Sequence, residues 1–225
     1  MNYEIRYKPA FAAIFITLEP GERITAEAGA MASMDAGITM TTQFMGGLMP
    51  ALLRSWFGGE SLFTNTFINR TPEPKTLVLS QAMIGDIEVL QLGGEENASL
   101  CLEGGAYIAS TARIDLSVRW AGFNSWLAGE GLFKLLVSSK GRGLVFFGGY
   151  GGLTRRQVTG DFIVDSGHLV AYEPSISLNV RFAKGIIGSI ASGEGMVNHL
   201  KGNGMIYLQS RSIDSFVQFL RRKIR

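Results

Sequence analysis

The sequence predicts an all-β protein of internally repeated, sandwich- or barrel-like units closed by a short C-terminal helix. Three observations predict it: one pattern returns three times along the chain, its members alternate apolar and polar residues with period two, and turn signals separate them at short intervals. The first copy opens Ile24-Thr-Ala-Glu27-Ala-Gly29, the second Leu100-Cys-Leu-Glu103-Gly-Gly105 and the third Phe162-Ile-Val-Asp165-Ser-Gly167. From the shared glycine to a closing aromatic, Phe44, Trp120 or Phe182, is 15 residues each time, and an acid stands two places before each glycine.

Each copy then continues alike. Ile38-Thr-Met40, Ile114-Asp-Leu116-Ser-Val118 and Ile176-Ser-Leu178-Asn-Val180 alternate as half-buried strands do. Apolar, glycine-flanked connectors follow, Gly47 to Phe57, Gly122 to Ala128 and Gly185 to Ala191, and then Gly-Glu-Ser or Gly-Glu-Gly around Glu60, Glu130 and Glu194. A hairpin is expected next in every copy. Its turns fall at Pro72 and Pro74, at Ser138 to Arg142, and at Lys201 to Gly204. One copy alone buries little surface, so the three are expected to pack about a pseudo-threefold axis as one compact unit over 1–225, with repeats near 3–90, 91–155 and 156–211. A bulge or close backbone approach is expected at the shared glycine.

The remaining 212–225 read as a basic helix. Phe216, Phe219, Leu220 and Ile224 recur at helical spacing, Ser212 or Asp214 can cap the start, and Arg221, Arg222, Lys223 and Arg225 load the end where the dipole favours cations. Its apolar stripe is expected to pack on the same chain.

The 225 residues are 46% hydrophobic and 18% charged, which excludes whole-chain disorder. A net charge of +2 is too balanced to imply nucleic acid. Cys101 is the single cysteine, so no internal disulfide forms and a reducing, cytoplasmic setting is expected. The start lacks a basic-then-apolar signal, and no apolar run is long enough to span a bilayer as a helix.

Several motifs together, Ile-Thr-Ala-Glu-Ala-Gly-Ala-Met (24–31), Gly-Gly-Glu-Ser-Leu-Phe (58–63), Gly-Glu-Gly-Leu-Phe (129–133), Phe-Gly-Gly-Tyr-Gly (147–151) and Val-Asp-Ser-Gly-His-Leu-Val-Ala (164–171), resemble the altered-inheritance-of-mitochondria 24 family over nearly the whole chain. The resemblance implies a fold similar to the tryptophan RNA-binding attenuation protein, with internally duplicated β-units, and trimeric assembly in bacterial members. Eukaryotic relatives are mitochondrial and linked to inner-membrane organisation. It supplies no catalytic residues. Without a presequence-like start the chain looks like a bacterial member.

Candidate chemistry is sparse. Glu60, Glu130 and Glu194 are the leading polar constellation. Close to a common axis they could bind a cation; away from it they accept hydrogen bonds from turn amides, and repetition favours that structural role. His168 replaces Ala30 and Ala106 of the other copies and is the one local asymmetry worth testing. On a strand it lies on the face opposite Asp165, so the two form no dyad. His199 is expected in solvent near a turn, and Cys101 in the core. Gly148-Gly149-Tyr150-Gly151-Gly152 leads toward a strand and not a helix, so it makes no phosphate loop, and Arg155 and Arg156 read as solvated. The connectors with Trp56 and Trp126 cap the sheets, line a subunit interface or touch a membrane. The expectation is therefore a non-enzymatic scaffold or binding protein without cofactor or metal, assembled as a homo-oligomer, a trimer first. A protein or membrane surface is a further partner. A small-ligand or RNA-binding module and an enzyme with an unrecognised site are the alternatives.

Overall fold

The computed structural model describes residues 1–44, 63–94, 99–120, 133–182 and 196–224. The chain is mostly β, arranged in curled antiparallel sheets, and ends in one short helix. Glu60, Glu130, Glu194 and the three apolar connectors, with Trp56 and Trp126, lie outside the described residues.

The strands fall into three consecutive stretches. The first holds β2 (Ala13–Leu18), β3 (Arg23–Glu27), β4 (Met31–Met34), β5 (Ile38–Phe44), β6 (Phe63–Asn69) and β7 (Lys75–Ser80), with β1 (Asn2–Arg6) added to the edge of β2. The second holds β8 (Ile87–Leu92), β9 (Ser99–Leu102), β10 (Tyr107–Thr111), β11 (Ile114–Trp120), β12 (Phe133–Ser139) and β13 (Gly143–Gly148). The third holds β14 (Leu153–Asp165), β15 (Leu169–Tyr172), β16 (Ile176–Phe182) and β17 (Met196–Gln209).

One pairing pattern recurs in all three. Strands pair in the orders β5-β6-β3, β11-β12-β9 and β16-β17-β14 on one side. On the other side they pair as β2-β7-β4, β8-β13-β10 and β14-β17-β15. The register shifts at the same place in each, between Met31 and Ser33, Tyr107 and Ala109, and Leu169 and Ala171. These bulges lie just beyond the shared glycine, as expected.

The expected hairpins are different in kind. β6 and β7 lie in different sheets, as do β12 and β13, because both edges of β6 and of β12 are already occupied. The turns between them are therefore corners that carry the chain from one sheet to the next. At the first corner the fully buried Asn69 donates from Nδ2 to the Leu18 carbonyl at 2.9 Å and the Glu73 carbonyl at 2.7 Å, and accepts from the Thr71 amide at 2.9 Å. The hydrogen bonds of this buried amide offset its desolvation and hold the corner. In the third stretch the expected turn at Lys201–Gly204 is absent. β17 runs straight through it, paired along its length with the equally long β14, and Gly202 faces Gly160, both at positive φ. Glycine tolerates that backbone, so the ribbon passes unbroken where the other stretches turn a corner.

The core follows the pairing. Ile14, Ile16, Ile24, Phe67, Leu77 and Leu79 of the first stretch pack with Ile87, Ile108, Ala109 and Phe146 of the second. Leu92, Leu100, Leu102, Val137 and Val145 pack with Val170, Ala171 and Tyr207 of the third. Val158, Leu169, Ile176, Leu200 and Ile206 form the third cluster, to which no fourth stretch contributes. Burying each such side chain stabilises the fold by about 1.5–3 kcal/mol. The stretches meet strand to strand. β3 pairs with β10 and β9 pairs with β15. β10 and β15 are consequently buried on both faces and lose the period-two alternation.

The helix, α1 (Ile213–Lys223), is where the sequence puts it. Ser212 is the N-cap, its Oγ accepting from the Ser215 amide at 3.4 Å, and Asp214 lies in the first turn. Its apolar stripe does not pack into the chain: Phe216 is 46% exposed, Phe219 55% and Ile224 80%. Tyr150 against Phe216, ring centroids 6.0 Å apart, is the aromatic contact it makes. The β-sheet end beside it offers a glycine-rich loop with few side chains to receive the stripe.

Candidate functional site

The shared acid builds a turn. The carbonyls of Glu27 and Glu103 accept from the amides of Ala30 and Ala106 at 3.1 and 3.2 Å, and Gly29 and Gly105 take positive φ. In the third stretch a single 3-10 turn, Ser166–His168, takes this place, and the Asp165 carboxylate accepts from the Gly167 amide at 2.9 Å. Glu103 meets Lys134 Nζ at 2.5 Å, both side chains almost buried.

His168 closes this third turn and is half-buried. Its Nδ1 lies 2.8 Å from the Gln209 carbonyl, which makes Nδ1 the donor. Gln209 completes a small network: Nε2 donates to the Gly167 carbonyl at 2.8 Å and Oε1 accepts from the Tyr150 amide at 2.7 Å. His168 thus fastens the third turn to the end of β17, while the Gln209 side chain fastens the glycine-rich loop 148–152 to the same place. Sequence reasoning missed Gln209: the Tyr150 amide it accepts from lies 59 residues earlier, so no local pattern marks it. The loop leads into β14 and not into a helix. Arg155 and Arg156 are exposed, and Arg156 lies over the Phe162 ring at 4.4 Å. His199 is half-buried on β17 and not at a turn. Cys101 is half-buried opposite Tyr172 and packs against the third cluster.

Concave surface occurs where the first two stretches meet. One groove is lined by Glu22, Arg23, Gln91, Arg113 and Arg142, with the Met1 amino group paired to the Glu22 carboxylate. The three arginines stand in solvent. Across the same junction Tyr107 is buried. Burial pushes its hydroxyl far above the usual phenol range, and it donates to the Thr25 carbonyl at 3.1 Å while contacting Ser110 Oγ at 2.8 Å. Burial also raises Tyr207. Asp86 is buried and held by Lys8 Nζ at 3.3 Å and by the Ile87 amide at 2.9 Å. Among the described residues no group of three potential metal-ligating side chains converges, and no helix is long and apolar enough to cross a membrane.

Curled antiparallel sheets whose described buried charges are tied to structural partners, followed by an exposed C-terminal helix, define a mostly β protein. The chain belongs to the mitochondrial biogenesis AIM24 family, whose model matches residues 3–211. It is 26% identical over 231 residues to an uncharacterised protein of Streptococcus pyogenes serotype M6, covering 99% of this chain and 90% of that one. A crystal structure of a Streptococcus pyogenes protein from a structural genomics programme superposes with a TM-score of 0.78 at 24% identity, covering 99% of both chains. That likeness is one of fold.

Proposed function

We propose that this protein is a non-enzymatic β-scaffold made of three homologous units in succession, assembling as a homo-oligomer, with a trimer as the expected form. The observation that carries the reading is the recurrence of one pairing pattern, with the same bulge and the same junction between neighbours, in all three stretches. Three further features support it. The buried polar side chains Asn69, Asp86 and Lys134 are spent on corners and ion pairs. Repetition at this level marks a fold requirement, whereas catalytic sites break symmetry between copies. The single cysteine suits a reducing, cytoplasmic setting. Light scattering over a wide concentration range tests the assembly: a constant oligomer mass supports it and a monomer mass throughout refutes it. A thermal-shift screen of metabolites and metals tests the absence of catalysis, since a saturable ligand that melts with the protein would direct attention to an active site.

A second reading adds a membrane or protein surface as partner. It is favoured by α1, whose exposed Phe216, Phe219 and Leu220 accompany Arg221, Arg222 and Lys223. Such a helix can lie in an anionic interface. Co-sedimentation with vesicles containing phosphatidylserine, lost in Phe216→Glu and absent with phosphatidylcholine alone, is the expected result.

A further inference from the structure

The two junctions between stretches share one register. Ala109 faces Ala26 and Ser110 faces Thr25 where the first and second meet. Ala171 faces Leu102 and Tyr172 faces Cys101 where the second and third meet. Counted from the shared glycine, these are the same positions: four and five residues after it on one strand, three and four before it on the other. Two strand edges are left over. β4, the counterpart of β10 and β15, pairs with β7 alone. The last five residues of β14, Asp161–Asp165, are the counterpart of β3 and β9 and pair with β17 alone. Among the described residues the chain is thus an open row whose first unit lacks a neighbour on one side and whose third lacks one on the other.

The surface at these edges is that of an interface. Transferring the shared register places Ser33 across from Val164 and Met34 across from Ile163. Met34 is 40% exposed and Ile163 60%, whereas Ser110 and Tyr172, the counterparts of Met34, are buried in their junctions. β4, Met-Ala-Ser-Met, carries neither lysine nor proline, the residues that protect a free edge. The third core cluster is also the one that receives no side chains from a following unit, whereas the first receives Ile108 and Ala109 and the second Val170 and Ala171.

Resting on the three-unit reading, we propose that β4 of one chain adds to the free edge of β14 in a second copy, antiparallel and head to tail, repeating the internal junction between chains. A heterologous contact of this kind closes into a ring when the rotation permits and leaves no self-complementary face. Main-chain hydrogen bonds supply the affinity, and Met34 against Ile163 excludes water from the seam.

The test uses the full chain with Cys101→Ser, which leaves engineered thiols as the only ones. A Met34→Cys chain is mixed with an Ile163→Cys chain under mild oxidation, and Ser33→Cys is mixed with Val164→Cys in parallel, because adjacent antiparallel pairs alternate between wide and close spacing. The expected result is a disulfide-linked heterodimer in at least one mixture, with each chain alone staying unlinked. Homodimers only, or no cross-link in either mixture, would overturn the seam. Light scattering of Met34→Lys and of Ile163→Lys, each with an unchanged circular dichroism spectrum, is the second measurement. Each alone should fall to monomer mass, and their equimolar mixture should recover twice that mass, since one native pair of edges survives. Lysine variants that keep the wild-type oligomer mass overturn the seam and leave the oligomeric scaffold standing; a wild type that is monomeric throughout removes both.

Discussion

The Tyr107 hydroxyl donates to the Thr25 carbonyl at 3.1 Å and so ties the second stretch of the chain to the first at their shared strand junction. Tyr107 is 5% exposed, so Tyr107→Phe leaves a carbonyl short of a partner in a dry place. We expect a loss of about 0.5–1.5 kcal/mol in urea unfolding, with the mass in light scattering unchanged from wild type.

The same residue sets a pH dependence. Burial raises the Tyr107 phenol in the folded state above its unfolded value near 10. The unfolded chain then releases its proton first, so the folded state binds more protons and stability falls as pH rises above about 10. Tyr207 is shifted the same way and adds to the fall. Equilibrium unfolding between neutral pH and pH 11 should show the decline, and Tyr107→Phe should flatten it. An equally steep decline in that variant would show that other groups carry it.

Lys134 and Glu103 form an almost buried ion pair between β12 and the turn after β9. Removing one partner breaks a nearly buried ion pair, so Lys134→Met should cost about 3–5 kcal/mol. Replacing both, with Glu103→Gln added, should recover most of that loss. A denaturant double-mutant cycle measures the coupling.

Asn198 is fully buried on β17, and neither its amide nitrogen nor its oxygen has a partner. At the same place in the pairing pattern the second stretch has Leu135, which faces Leu102 as Asn198 faces Val164. An unsatisfied buried amide costs about 1–3 kcal/mol. Asn198→Leu should therefore raise the melting temperature, and a fall would mean that the amide has a partner in solution.

For Glu60, Glu130 and Glu194 we expect support of turns. Calcium or magnesium should leave the melting temperature of the wild type unchanged, and the triple Glu→Gln protein should be modestly less stable. A saturable metal-dependent rise that the triple variant loses would instead establish a cation site.

The alternating strands, the bulge near the shared glycine and the capped terminal helix were legible from residues alone. Each depends on neighbours a few positions apart: period-two alternation, a glycine that accepts positive φ at Gly29 and Gly105, and Ser212 before an apolar stripe. The role of His168 was legible only in part. Its departure from Ala30 and Ala106 could be read, but Gln209, 41 residues away, had to be brought to it by the pairing of β15 with β17.

Pairing partners were decided by the tertiary structure. Period two specifies which face of a strand is buried and says nothing about which strand lies beside it. Hence β6 and β7 look like a hairpin and lie in different sheets, and the Lys201–Gly204 segment looks like a turn and continues a strand because β14 offers it a partner of matching length. The apolar stripe of α1 is plain from its spacing, yet only the packed chain shows that it has no core to enter. Local chemistry chose the elements of this protein. Their neighbours, and the strand edges left open at β4 and β14, follow from contacts between residues far apart in sequence, which no short window of residues contains.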